Sequence, residues 1–307
     1  MSSQTNKQPT LKKISKGLTV GSVMTGSTFF HGPPVLALGL TKLFKKSKKV
    51  DETNIKITNS WLTVNNWLID HVLPNTKWDI TIDEGLDLNL HGRYLMTCNH
   101  QSWVDTTVNQ YFGLTRMPLT RFFTKWELIF IPFVGQAFKI LGFPMMKRHS
   151  KEQIAKNPEL KYRDMEEARK SCEQLLSQPF TLLNYLEGTR FTAEKHAQQQ
   201  SPYQNLLKPK AGGLALALNI LGDQVDALVD MTIVYPNGAP GYGEFWLGEV
   251  PRIAVDLRKI EIPTWVHGGN YEDDAEFREK FQHWVDELWT EKDQLITRMK
   301  AKYSVTE

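Results

Sequence analysis

Apolar and polar positions alternate along this chain with two different periods. Trp61, Leu62, Val64, Trp67, Leu68, Ile69 and Val72 recur at the spacing of one helix face. Trp78, Ile80 and Ile82 alternate with Asp79, Thr81 and Asp83 as a strand does. Short apolar runs at 93–98, 143–147, 180–186, 227–235 and 253–262 read as further strands. Helical patterns cover 102–111, 157–177 (charged on its solvent face), 210–221 (rich in Ala, Leu and Gly) and 273–303. Strand and helix alternating in this way predict an α/β domain with a mixed, largely parallel sheet flanked by helices. The polar stretch 192–207, with Gln198-Gln199-Gln200, breaks the pattern and is expected to form a flexible flap.

The N-terminal pattern is different. Residues 17–41 contain no Lys, Arg, Asp or Glu, and His31 is the one ionisable group. Lys12, Lys13 and Lys16 precede the stretch; Lys42, Lys45, Lys46, Lys48 and Lys49 follow it. The length would suit a membrane span. Five glycines and the central Pro33-Pro34 oppose a straight helix, because proline inside a helix costs about 3 kcal/mol. A bent, re-entrant hairpin with both basic ends on the cytoplasmic side is therefore the expectation, held to anionic lipid by those lysines. A helical hairpin buried on the rest of the chain is the alternative. The chain accordingly divides into a membrane-associating segment, 1–50, and an α/β domain, 51–307.

Composition adds mainly exclusions. At 307 residues, 41% hydrophobic and 23% charged, the chain is long enough for one large core. A formal charge of +3 gives no reason to expect a nucleic-acid partner. Cys98 and Cys172 fit a reducing compartment, and no Cys/His spacing marks a zinc site.

The chemistry concentrates at strand ends. The run Asn99-His100-Gln101-Ser102-Trp103-Val104-Asp105 follows an apolar strand and precedes a helix. His100 there can accept a hydroxyl proton, and Asp105 can orient it if the turn folds back. Ser102 and Asp105 also have the spacing of a helix cap, which taken alone explains them as well. Glu187-Gly188-Thr189-Arg190 ends another apolar strand. Arg190 is placed to grip a phosphate, and Gly188 lets the backbone approach a ligand; a surface turn with a Glu–Arg pair is the plainer alternative. Arg121, Lys125, Lys147, Arg148 and Lys208 add positive charge near other element ends, and the helix opened by Lys208-Pro-Lys-Ala could hold an anion at its N-terminus.

The two runs together, in this order, resemble the glycerolipid acyltransferase family, whose best-known members are the 1-acyl-glycerol-3-phosphate (PlsC-type) acyltransferases. Gly142 and Arg148 match the family's intermediate block, and the resemblance extends from about Trp78 to Tyr235. The stretch Glu187 to His196, the Lys-Pro-Lys-Ala helix and the basic-flanked N-terminus look like a bacterial inner-membrane branch, with the catalytic domain facing the cytoplasm. The resemblance implies acyl transfer from acyl-CoA or acyl-carrier protein to the free hydroxyl of a lysophospholipid, in phospholipid biosynthesis or remodelling. His100 would be the general base and Asp105 its orienter, with Asn99 and Ser102 supporting them. Arg190 would bind the acceptor phosphate on a loop shaped by Glu187, Gly188 and Thr189, with Arg148, Lys125 and Lys208 as further contacts. Backbone amides of the first motif would serve the oxyanion. Donor and acceptor would be the partners, together with membrane lipids, and no metal or redox cofactor is implied.

Departures from the family pattern cluster near the acceptor. Tyr185-Leu186 stand where Phe-Pro is usual, Met145-Met146-Lys147 precede Arg148 where Phe-Ile-Asp is usual, and Ile233-Val234-Tyr235-Pro236 only loosely echoes the later motif. They leave room for a head group larger than that of lysophosphatidic acid, such as lysophosphatidylglycerol. Two other functions compete: an acyl ester or thioester hydrolase, and a non-catalytic lipid-binding membrane protein.

Overall fold

Buried on both faces, strand β2 (Arg93–Cys98) fixes the architecture. In a computed structural model describing residues 11–42, 44, 47–146, 153, 156, 157 and 159–304, β2 lies inside a six-stranded sheet. The other strands are β1 (Lys77–Ile82), β3 (Thr120–Phe122), β6 (Phe180–Tyr185), β7 (Ala227–Val234) and β8 (Arg252–Ile260). The order is β1-β8-β7-β2-β6-β3, and β7/β8 is its one antiparallel pairing. A second, two-stranded sheet pairs β4 (Thr124–Lys125) with β5 (Met145–Met146). The expected α/β class with a mixed, largely parallel sheet is what forms.

Helices cover both faces, as a mostly parallel sheet requires. Tyr94, Met96 and Cys98 pack with Leu68, Ile69 and Val72 of α2 (Lys48–Val72) and Val104, Val108 and Phe112 of α3 (Val104–Gly113). Leu95, one residue out of phase, faces the opposite core. That core is built by α5 (Glu159–Leu175), α7 (Gly212–Leu221) and α9 (Ala275–Ser304), while the short α8 (Tyr242–Trp246) packs into the first. Asp230 and Thr232 interrupt the apolar run of β7. Asp230 is neutralised by Lys292 Nζ at 2.7 Å and Arg258 Nη2 at 2.8 Å, and accepts from Thr97 Oγ1 at 2.6 Å. A buried charge needs such partners.

The N-terminal segment departs from its expectation. No re-entrant bend forms at Pro33-Pro34; α1 runs unbroken from Leu11 to Thr41. Packing explains this. The prolines sit on the exposed side, where their missing N–H groups cost least, while Gly32, Val35 and Gly39 press against α4 (Val134–Ile140) and its approach. A side chain on Gly39 would collide with Ile140, and one on Gly32 with Phe133. The hairpin that does exist is formed by α1 against α2. At about 1.5 Å per residue, a helix of 31 residues holds its two basic ends roughly 45 Å apart. No helix among the described residues is long and apolar enough to cross a membrane.

The flap expected at 192–207 is also replaced by order. Thr192 caps α6 (Ala193–Gln199) by accepting the Lys195 N–H, and the residues after it are tied to α9 by side-chain hydrogen bonds.

Candidate functional site

The parallel strands β7, β2 and β6 end side by side, and their C-terminal ends converge on one place, the usual location of sites in such sheets. His100 follows β2, Glu187 follows β6 and Tyr235 follows β7. Asn99 closes the gap between two of these strands: its Nδ2 donates to Ile233 O at 2.8 Å and its Oδ1 accepts the Ile233 N–H at 2.9 Å.

His100 and Asp105 meet. His100 Nδ1 lies 2.9 Å from Asp105 Oδ2. A carboxylate acceptor there assigns the proton to Nδ1 and leaves the lone pair on Nε2. Asp105 is fully buried, whereas the His100 side chain keeps 13% of its surface open. Oδ2 also accepts the N–H groups of Gln101 at 2.6 Å and Ser102 at 2.9 Å, and Oδ1 accepts Tyr235 OH at 2.7 Å. Asp105 thus holds the turn before α3 with the same oxygen that orients His100, and the N-cap is Trp103 rather than the expected Ser102. Ser102 Oγ accepts the Val104 N–H at 3.0 Å and donates to Pro240 O at 2.6 Å. The Tyr185 ring stacks on the His100 ring, with centroids 4.2 Å apart, and Asn109 Nδ2 donates to the Tyr185 hydroxyl at 3.1 Å.

One expected service of this turn is not available. The N–H groups of His100, Gln101 and Ser102 already donate to Glu187 and Asp105, so these amides do not face an oxyanion.

Glu187 does not pair with Arg190. It is fully buried, with Oε1 accepting the His100 N–H at 2.7 Å and Oε2 the Leu207 N–H at 2.9 Å. Burial pushes its carboxyl up to about 8 against the opposing pull of those two donors. Gly188 has φ +66°, which favours glycine, and a side chain there would crowd Lys210. Thr189 Oγ1 and Arg190 O both accept from Lys195 Nζ, at 2.9 and 3.0 Å. Arg190 is half-buried with its guanidinium 4.5 Å from the centre of the exposed Trp103 ring. Among the described residues no carboxylate lies within ion-pair distance of it.

Lys208 is exposed, four residues before α7 begins, and its N–H donates to Gln199 Oε1 at 3.2 Å. Lys125 is exposed on β4. Arg121 is buried, with Nε donating to Leu141 O at 2.7 Å. Lys147 and Arg148 lie outside the described residues.

Beside the site lies an apolar cavity of about 340 Å³ between α1, α2, α3 and α4. Met24, Leu62, Leu119, Phe138 and Phe143 help line it, and Asn109 links it to Tyr185. Sequence reasoning gave Trp103 and Lys195 no role in this site and met Tyr185 and Tyr235 only as departures from the family pattern near the acceptor. Strand parity carried part of the signal, because Tyr185 and Glu187 sit two residues apart at the end of β6. Among the described residues no three His, Cys, Asp or Glu side chains group as metal ligands do.

A family model described as Acyltransferase matches residues 79–236. Over 259 residues the chain is 25% identical to the 2-acyl-1-lysophosphatidylinositol acyltransferase of Saccharomyces cerevisiae, covering 68% of this chain and 62% of that protein. It is 26% identical over 301 residues to lysocardiolipin acyltransferase 1 of Danio rerio, covering 92% and 69%. The crystal structure of a 1-acyl-sn-glycerophosphate acyltransferase from Thermotoga maritima superposes with a TM-score of 0.51 at 17% identity, covering 92% of this chain and 97% of that one. That likeness is one of fold. The chain thus spans less than two thirds of the length of the yeast relative.

Proposed function

The chain belongs to the Acyltransferase family, and from that premise we propose that it transfers a fatty acyl group from a thioester donor, acyl-CoA or acyl-carrier protein, to the free hydroxyl of a lysophospholipid. The observation that carries this reading is the His100–Asp105 pair, oriented so that Nε2 holds the lone pair. Nε2 takes the hydroxyl proton as the oxygen attacks the thioester carbon. The C–S bond then breaks and the thiolate recovers the proton from the imidazolium, leaving an ester and a free thiol. Asp105 stabilises the imidazolium in between.

Arg190 is the group for the acceptor phosphate. It has no carboxylate partner among the described residues, it rests on Trp103, and Lys195 holds the backbone that carries it. The acyl chain fits the apolar cavity, whose volume is in the range of small-molecule sites. Exposed Phe29, Phe30, Phe130 and Ile131 provide an apolar surface for the membrane from which the lysophospholipid comes.

Labelled acyl-CoA incubated with a panel of lysolipids tests the reading. Acceptor-dependent ester formation is expected; release of free acid without acceptor would replace transfer by hydrolysis. Arg190→Ala is expected to raise the acceptor KM about 10- to 100-fold, the worth of a charge-assisted phosphate contact, with the donor KM unchanged. An unchanged acceptor KM would remove Arg190 from that role.

A further inference from the structure

The family match ends at residue 236, whereas α9 begins at Ala275. Yet α9 is joined to the base through a short series of hydrogen bonds. Trp289, 1% exposed, donates its indole N–H to Leu207 O at 2.9 Å. The Leu207 N–H donates to Glu187 Oε2 at 2.9 Å, and Glu187 Oε1 accepts the His100 N–H at 2.7 Å. Leu207 is therefore held on both its amide and its carbonyl side, once by α9 and once by the acid that holds His100.

The rest of the segment is held by the same face of the helix. Asp293 accepts the N–H groups of Gln204 and Asn205 at 2.9 and 2.7 Å. Asn205 also bonds Thr297 Oγ1 at 2.9 Å and Lys300 Nζ at 2.7 Å, and Tyr203 OH reaches Asp286 Oδ1 at 3.3 Å. Residues 286, 289, 293, 297 and 300 are three and four apart, one stripe along α9. A helix needing only apolar packing would not carry a stripe of polar groups directed at one loop, two of them, on Trp289 and Asp293, at its backbone.

We propose that α9 is the positioning element of the acyl-transfer site, with Trp289 and Asp293 holding residues 203–207 so that Leu207 fixes Glu187 and Glu187 fixes the His100 backbone. Both are positioning residues, since neither reaches substrate. The inference rests on the acyl-transfer reading for its kinetic part and on hydrogen bonding alone for its structural part.

The test uses the full chain with palmitoyl-CoA and lysophosphatidic acid in mixed micelles, together with amide hydrogen exchange. Trp289→Phe keeps a ring and removes the N–H. It is expected to lower kcat about 3- to 10-fold while both KM values stay within about 2-fold of wild type. Exchange at the His100 and Leu207 amides is expected to quicken. Asp293→Asn replaces one acceptor by a donor at a half-buried position and is expected to act in the same direction, more weakly. It decides the matter if Trp289→Phe does not fold. Wild-type kcat and exchange in the folded variants would overturn the proposal. So would a fall in activity that only follows the folded fraction, or a rise in KM with kcat intact. If the wild-type chain transfers no acyl group, the functional reading fails separately, and the exchange data still read the coupling of α9 to His100.

Discussion

His100→Ala is expected to lower acyl transfer about 10³-fold, within the range that positioned acid–base groups supply. The substitution removes the base without dismantling its surroundings. Alanine retains the backbone N–H that donates to Glu187 and the carbonyl that accepts the Phe191 N–H. Asp105 keeps the N–H donors of Gln101 and Ser102 and the hydroxyl of Tyr235. The ring lost is partly exposed, so the cavity left beside Tyr185 opens to solvent. Donor and acceptor KM should therefore stay near wild type, because Arg190 and the apolar cavity are untouched, and the loss should fall on kcat. Thiol release from acyl-CoA at saturating lysolipid measures it. Wild-type turnover in the variant would mean that the hydroxyl is deprotonated by some other group, and the proposed mechanism would fall.

Which parts of this arrangement could be read from the chain depends on how local their causes are. His100 and Asp105 were legible because five residues of turn and helix start suffice to bring them together. Glu187 was legible as a residue shaping the Arg190 loop, and the plainer alternative, a surface Glu–Arg pair, does not form. Two backbone N–H groups, one of them 87 residues away, take its oxygens instead. Tyr235 reaches Asp105 from β7, 130 residues on, and only the parallel register of β7 with β2 places it there. The sheet class followed from periodicity, but the continuity of α1 through Pro33-Pro34 did not. Helix propensity argued for a break, while close packing at Gly32 and Gly39 outweighed it. The polar run 192–207 looked like a flap because its hydrogen-bond partners, Asp293 and Trp289, lie on a helix some 90 residues later.

Glu187→Gln should expose the tension at the centre of the site. Each carboxylate oxygen accepts a backbone N–H, which favours the ionised form, while burial opposes it more strongly and pushes the group up to about 8. Glutamine offers one acceptor and sets its amide N–H against the other donor. The His100 backbone or the Leu207 strap must then move, and a displacement of that kind costs about 10²-fold in rate. Stability carries a separate signature. The native state binds the Glu187 proton more tightly than the unfolded chain, whose carboxyl titrates near its ordinary 4.5. The proton-linked stability is thus complete below about 4.5 and is lost as pH rises through about 8. The full swing is a few kcal/mol. Glutamine does not titrate, so the unfolding free energy of wild type minus that of Glu187→Gln should fall across this window and level off on either side. Urea unfolding followed by tryptophan fluorescence at pH 5, 6, 7 and 8 measures the difference. A difference that stays constant across the series would show that Glu187 is ionised throughout, its two N–H donors prevailing over burial.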